Sequence, residues 1–99
     1  MIAKIVNGKV ELRKENGILI RTISITGAIE VDLSQGEEQL LVTFASGKVE
    51  LRKVNGILIR TLVNSNAIGA RFHGNEVLVK TNSGKMELRK LNDILIRTM

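Results

Sequence analysis

Sixteen residues are written three times in this chain: "GKVELRKENGILIRTI" at 8–23, "GKVELRKVNGILIRTL" at 47–62 and "GKMELRKLNDILIRTM" at 84–99. The first two copies agree at 14 of 16 positions, and each agrees with the third at 12. The periods are 39 and 37 residues. Repeats of about 20–50 residues mark solenoids, propellers and arrays, in which each unit buries its apolar face on its neighbour. The architecture of the chain is therefore set by what one period contains.

Each period reads as short strands. In the second, 28–35 alternates apolar and polar residues, "GEE" interrupts it, and 39–45 is a second strand closed by "SG". The repeated segments 48–53 and 57–62 follow, joined by "VNG". The third period repeats the pattern at 67–72, 76–81, 85–90 and 94–99. The first holds only 2–6, 9–14 and 18–23, with nothing in place of an opening strand, so eleven strands are expected where three full units would give twelve. Alternation over six residues between Gly and Asn-Gly flanks is a strand signature, and the segments are too short for stable helices. The composition agrees: the chain has no proline and only Phe44 and Phe72 as aromatics, so its core is built from β-branched and Leu side chains that suit a pleated surface. The units divide the single repeat domain 1–99 into a partial unit 1–23 and full units 24–62 and 63–99.

Within the repeated hairpin, a two-residue Asn16-Gly17 turn would mix apolar and charged residues on both faces. A three-residue loop, Glu15-Asn16-Gly17, ends on a glycine suited to the left-handed conformation, as a type I turn with a G1 bulge requires. Val10, Leu12, Ile18 and Ile20 then share one face, and Glu11 lies opposite Arg21. The same register gives the cross-strand pairs Glu50–Arg60 and Glu87–Arg97. The turn positions are Gly17, Gly56 and Asp93; Asp93 replaces glycine at a cost, so the third turn is expected to be the weakest.

The stretch "LLVTFASGKVELRKVNGILIRTL" resembles the second, third and fourth strands of a β-propeller blade, WD40-like or NHL-like in pattern. "LRK" stands where a Trp-Asp dipeptide would be, and the Gly-His signature is absent. The resemblance implies an all-β fold of three four-stranded antiparallel blades, the first incomplete. Propellers have about 4–8 blades, so three blades are expected to close as a two-fold homodimer of six, through the open blade faces. A monomeric β-trefoil, which also has three four-stranded repeats, is the alternative. Whether the repeated hairpin forms the outer or the inner strands of a blade stays open at this point.

No catalytic constellation stands out. His73, the lone histidine, sits in a loop beside "GN", and nothing around it has zinc-ligand spacing. Glu30 and Asp32 share a strand face near Glu37 and Glu38, but the third unit has no counterpart carboxylates. Phosphate-loop, dinucleotide, nucleophile-elbow and metalloprotease motifs are absent. The expectation is a protein without enzymatic activity, cofactor or metal. The net charge is +5, and twelve of the fifteen Lys and Arg belong to the triplicated segment. A ring of Lys14, Lys53 and Lys90 is the speculative anion-binding surface, although a chain without Trp or Tyr has little with which to stack bases or sugars. Weak nucleic-acid binding and lectin-like sugar binding are thus alternatives to a binding or scaffold module for small-molecule or protein ligands. In a blade of this kind the loops "SITG", "VNSN", "ASG" and "NSG" share one end. With no cysteine and no apolar run of the roughly 20 residues that a membrane helix needs, a soluble protein is expected, in a reducing compartment such as the cytoplasm.

Overall fold

A computed structural model describes residues 1–99. Eleven strands run in chain order: β1 (Ile2–Val6), β2 (Lys9–Arg13), β3 (Leu19–Ile23), β4 (Ala28–Leu33), β5 (Gln39–Phe44), β6 (Val49–Lys53), β7 (Leu58–Val63), β8 (Ala67–His73), β9 (Glu76–Thr81), β10 (Met86–Lys90) and β11 (Leu95–Thr98). They form three separate antiparallel sheets, β1-β2-β3, β4-β5-β6-β7 and β8-β9-β10-β11, each joining sequence neighbours. The first sheet has three strands and the others four.

The sheets stack face to face, and the two layers between them are the core. Val10, Leu12, Ile23 and Ala28 pack with Leu40, Val42 and Phe44 between the first and second sheets. Leu41, Val49, Leu51 and Leu62 pack with Ala67, Ala70, Val77 and Val79 between the second and third. The middle sheet is therefore apolar on both faces, and this is why β5 reads "LLV", a run, where a one-sided strand would alternate. Separate stacked sheets set aside the trefoil reading. The arrangement also answers which strands are inner. β4 packs against β8, whereas β3, β7 and β11 are largely exposed. The triplicated hairpin is thus the outer pair of each blade.

Its turn forms as expected. Lys14 accepts the Gly17 N–H at 2.9 Å and donates to the Ile18 carbonyl at 2.8 Å, with Gly17 at φ 90°. The same bonds recur at Lys53–Gly56–Ile57 and Lys90–Asp93–Ile94, with Gly56 at φ 96° and Asp93 at φ 69°. Beyond the turn the register departs from expectation. A bulge at Ile20 places Leu12 opposite Arg21, Glu11 opposite Thr22 and Val10 opposite Ile23. The corresponding slips put Glu50 opposite Thr61 and Glu87 opposite Thr98. The cross-strand pairs Glu11–Arg21, Glu50–Arg60 and Glu87–Arg97 therefore do not form. Burial supplies the reason: without the bulge Thr22 would stand beside Val10 and Leu12, whereas with it Ile23 joins them in the core.

Candidate functional site

In all three hairpins the glutamate pairs within its own strand. Residues i and i+2 of a strand share a face, and "ELR" puts a carboxylate and a guanidinium two apart. Arg13 Nη2 lies 3.0 Å from Glu11, Arg52 Nη2 2.8 Å from Glu50 and Arg89 Nη2 3.0 Å from Glu87. Each arginine also donates through Nη1 to the carbonyl at its own turn: Gly17 at 2.6 Å, Gly56 at 2.6 Å and Asp93 at 2.9 Å. One guanidinium thus ties strand, carboxylate and turn together, a job for a planar fork that lysine could not do. Of the arginines expected to pair across the strands, Arg60 has another partner. Arg60 donates to the Asn92 carbonyl at 2.9 Å, bridging the outer edges of the second and third blades.

Two of the Glu–Arg pairs line clefts between consecutive blades. The cleft between the second and third blades has a volume of ≈ 600 Å³, and its wall is formed by the 63–66 loop, the 81–85 turn, Glu87 and Arg89. The equivalent cleft between the first and second, ≈ 340 Å³, is lined by residues of the 25–27 and 44–46 turns with Lys48, Glu50 and Arg52. "SITG" and "ASG" are brought together at one end of the stack, as are "VNSN" and "NSG": Ala45 donates to the Gly27 carbonyl at 2.8 Å, and Asn82 to that of Asn66 at 2.8 Å. Glu50 is buried and held between Lys48 at 3.0 Å and Arg52, and the Lys48 ammonium also sits 4.7 Å from the centre of the Phe44 ring. These carboxylates and guanidinia satisfy one another. The clefts offer polar hydrogen-bonding surface to a ligand.

The other singled-out residues are spread over the fold. Lys14, Lys53 and Lys90 are exposed at equivalent hairpin corners, one per blade. His73 is exposed at the end of β8. Asp32 accepts the Phe72 N–H across the blade boundary at 2.8 Å, and Glu30 lies against Gly69, where a Cβ would come within 3.0 Å of its carboxylate. Both carboxylates therefore lie against the neighbouring inner strand, and Asp32 is hydrogen-bonded to it. Sequence reasoning missed the "ELR" pairing, although the i, i+2 spacing in all three copies carried the signal.

No family model matches the sequence, and no curated protein matches it. Among solved structures, BamB from Moraxella catarrhalis, a β-propeller, superposes with a TM-score of 0.75 at 18% identity. The match covers 98% of this chain and 31% of BamB. The blades are propeller blades. At this identity the likeness is one of fold, and the chain spans less than a third of the length of the protein it matches. No helix is long and apolar enough to cross a membrane, and the fold lends no support to a cytoplasmic location.

Proposed function

We propose that two copies of the chain close head to tail into a six-bladed ring that serves as a non-catalytic binding or scaffold module, presenting polar inter-blade clefts to its ligands. One observation carries the reading: triplicated positions that are buried twice lie open the third time. Ile23 is 5% exposed, Leu62 4% and Met99 58%. Val10 and Val49 are fully buried and Leu12 and Leu51 nearly so, while their counterparts Met86 and Leu88 are only half-buried beside Leu78. At the other end Ile2 is 47% exposed where Leu40 and Val77 are fully buried. Each terminal blade thus bears a face of the kind that is covered elsewhere by the next blade, and an apolar face of this sort marks an interface. Two chains give six blades, inside the range of closed propellers, and three would give nine, outside it.

A folded state that assembly stabilises melts at a temperature that rises with chain concentration. The expected result is a Tm that climbs on raising the concentration a hundredfold, and a lower Tm without that dependence for Leu88→Glu. A Tm independent of concentration in the parent chain would refute the ring.

A further inference from the structure

Three consecutive aliphatic residues stand bare at the same place in every blade. Ile57 is 56% exposed, Leu58 45% and Ile59 38%, and residues 18–20 and 94–96 are exposed to nearly the same degree. Single exposed apolar residues are ordinary, but a consecutive run left in water marks a functional surface. The middle triplet shows what does not cover it. Its blade has a neighbour packed on each side, so neither ring closure nor the ends of the chain account for its exposure.

The triplets open the outermost strands β3, β7 and β11, and consecutive outer hairpins touch. A Cβ on Gly56 would come within 3.6 Å of the Ile23 side chain. Arg60 donates to the Asn92 carbonyl, two residues before Ile94. The bare residues therefore follow one another along the rim of the stack. Each triplet adjoins its turn, so all three lie at one end of the blades, where a single surface can meet them together.

Cations frame each triplet. Lys14, Lys53 and Lys90 stand at the turn before it, and Arg21, Arg60 and Arg97 directly after it. All six are exposed, and none is in an ion pair, because Glu11, Glu50 and Glu87 are taken by the arginines of their own strands. Charge is segregated in the same direction. The three repeated segments hold twelve of the fifteen Lys and Arg and five of the ten Asp and Glu, a net +7, and the rest of the chain is net −2.

We propose that this rim docks on the surface of an anionic lipid bilayer, the aliphatic triplets entering the interface and the flanking cations meeting lipid phosphates. Two observations favour a lipid surface over a folded protein partner. Successive residues of a strand point to opposite sides, so each triplet is bare on both, and a fluid interface surrounds it where a rigid partner would cover one side. The lysines and arginines beside it combine apolar stems with charged heads, which suits the boundary between acyl chains and phosphates. Such binding grows with the apolar area buried and with attraction to anionic headgroups. The rim is complete in a single chain, so docking does not depend on the six-bladed ring.

The test is sedimentation of the chain with vesicles of phosphatidylcholine, either alone or with about 30% phosphatidylglycerol. Saturable binding to the anionic vesicles is expected, about tenfold or more tighter than to the neutral ones. The double variant Ile57→Ser/Ile59→Ser, its fold checked by circular dichroism, is expected to bind about tenfold or more weakly. Because the chain has no Trp, Leu58→Trp reports insertion by itself. Its emission is expected to shift to the blue on anionic vesicles and to be quenched by brominated acyl chains. Ser65→Trp, in the loop at the opposite end of β7, is expected to do neither. Absence of binding, equal binding to both vesicles, a serine variant that binds like the parent, or an unshifted Leu58→Trp would each overturn the proposal. A serine variant with a smaller mass in solution than the parent would assign the rim to contact between copies and overturn it as well.

Discussion

Gly47 opens the second copy of the triplicated segment, and it has no room for a side chain. A Cβ there would collide with the backbone nitrogen of Asn66, where the chain enters the next blade, while the Gly47 carbonyl accepts the Ala67 N–H at 3.0 Å. Gly8 makes the equivalent contact in the preceding blade, its carbonyl accepting the Ala28 N–H at 3.0 Å. Gly84, with no blade beyond it, has nothing within 4 Å of its Cβ position. All three have positive φ, so alanine costs about 1 kcal/mol of backbone strain at any of them. Gly47→Ala adds a backbone collision and is expected to cost at least about 2 kcal/mol more than Gly84→Ala in urea denaturation. Equal costs would count against the inter-blade packing.

The Met1 ammonium supplies a pH signature at the same scale. It lies 2.6 Å from Glu15 and 2.7 Å from Glu37. Hydrogen bonds to Glu15 and then Glu37 raise the amine above its usual 8.0, and the bond to the ammonium lowers Glu15 below its usual 4.5. A raised amine contributes stability that is full below 8.0 and lost as pH rises through its folded value. A lowered carboxyl contributes stability that is full above 4.5 and lost as pH falls through its folded value. The contribution is thus complete between these limits, and because the groups are exposed it is small. The stability difference between the parent and Glu15→Gln is expected to be largest in that window and to shrink on both sides. A difference that stays flat across both limits would exclude the pairing.

At the scale of the element, the turn was legible and the register was not. Lys14 to Ile18 encloses three residues ending in a left-handed glycine, a local demand that Asn16-Gly17 states by itself. The bulge at Ile20 answers to something distant. "ILIRTI" carries apolar residues at both parities, so alternation alone cannot choose a face, and the choice is made by the second blade, which buries Ile23. The "ELR" contacts were hidden for a related reason: once Glu11 is assigned to a partner across the strand, the nearer Arg13 is overlooked. Asp93 adopts the same left-handed turn geometry as its glycine counterparts, at φ 69°. Asp93→Gly is accordingly expected to stabilise the chain by about 0.5–1 kcal/mol. A lower thermal midpoint would contradict the turn assignment. The clefts were half legible: the loops that meet there follow from strand order, but the Glu50–Arg52 wall follows from an i, i+2 contact that the cross-strand assignment obscured.

The whole molecule is a stack with two unlike ends. The third blade ends on Leu78, Met86 and Leu88, flanked by Arg71 and Lys80 where the second blade has Asp32 and Thr43. The first blade begins on an open face carrying Lys4 where the other blades bury Val42 and Val79. A charge on an exposed edge strand guards against indiscriminate sheet pairing. That the chain is built of stacked blades could be read from the period. That one blade would have a strand fewer could also be read, by count, but the central place of that strand could not, because the inner and outer hairpins of a blade alternate alike.

Ring closure is tested most directly by the mass in solution. Each chain is 10.9 kDa. Light scattering in line with size exclusion is expected to return twice that mass across the elution peak, reverting to the single-chain mass for Leu88→Glu. A folded parent chain that elutes with the single-chain mass at all concentrations would contradict the two-chain propeller.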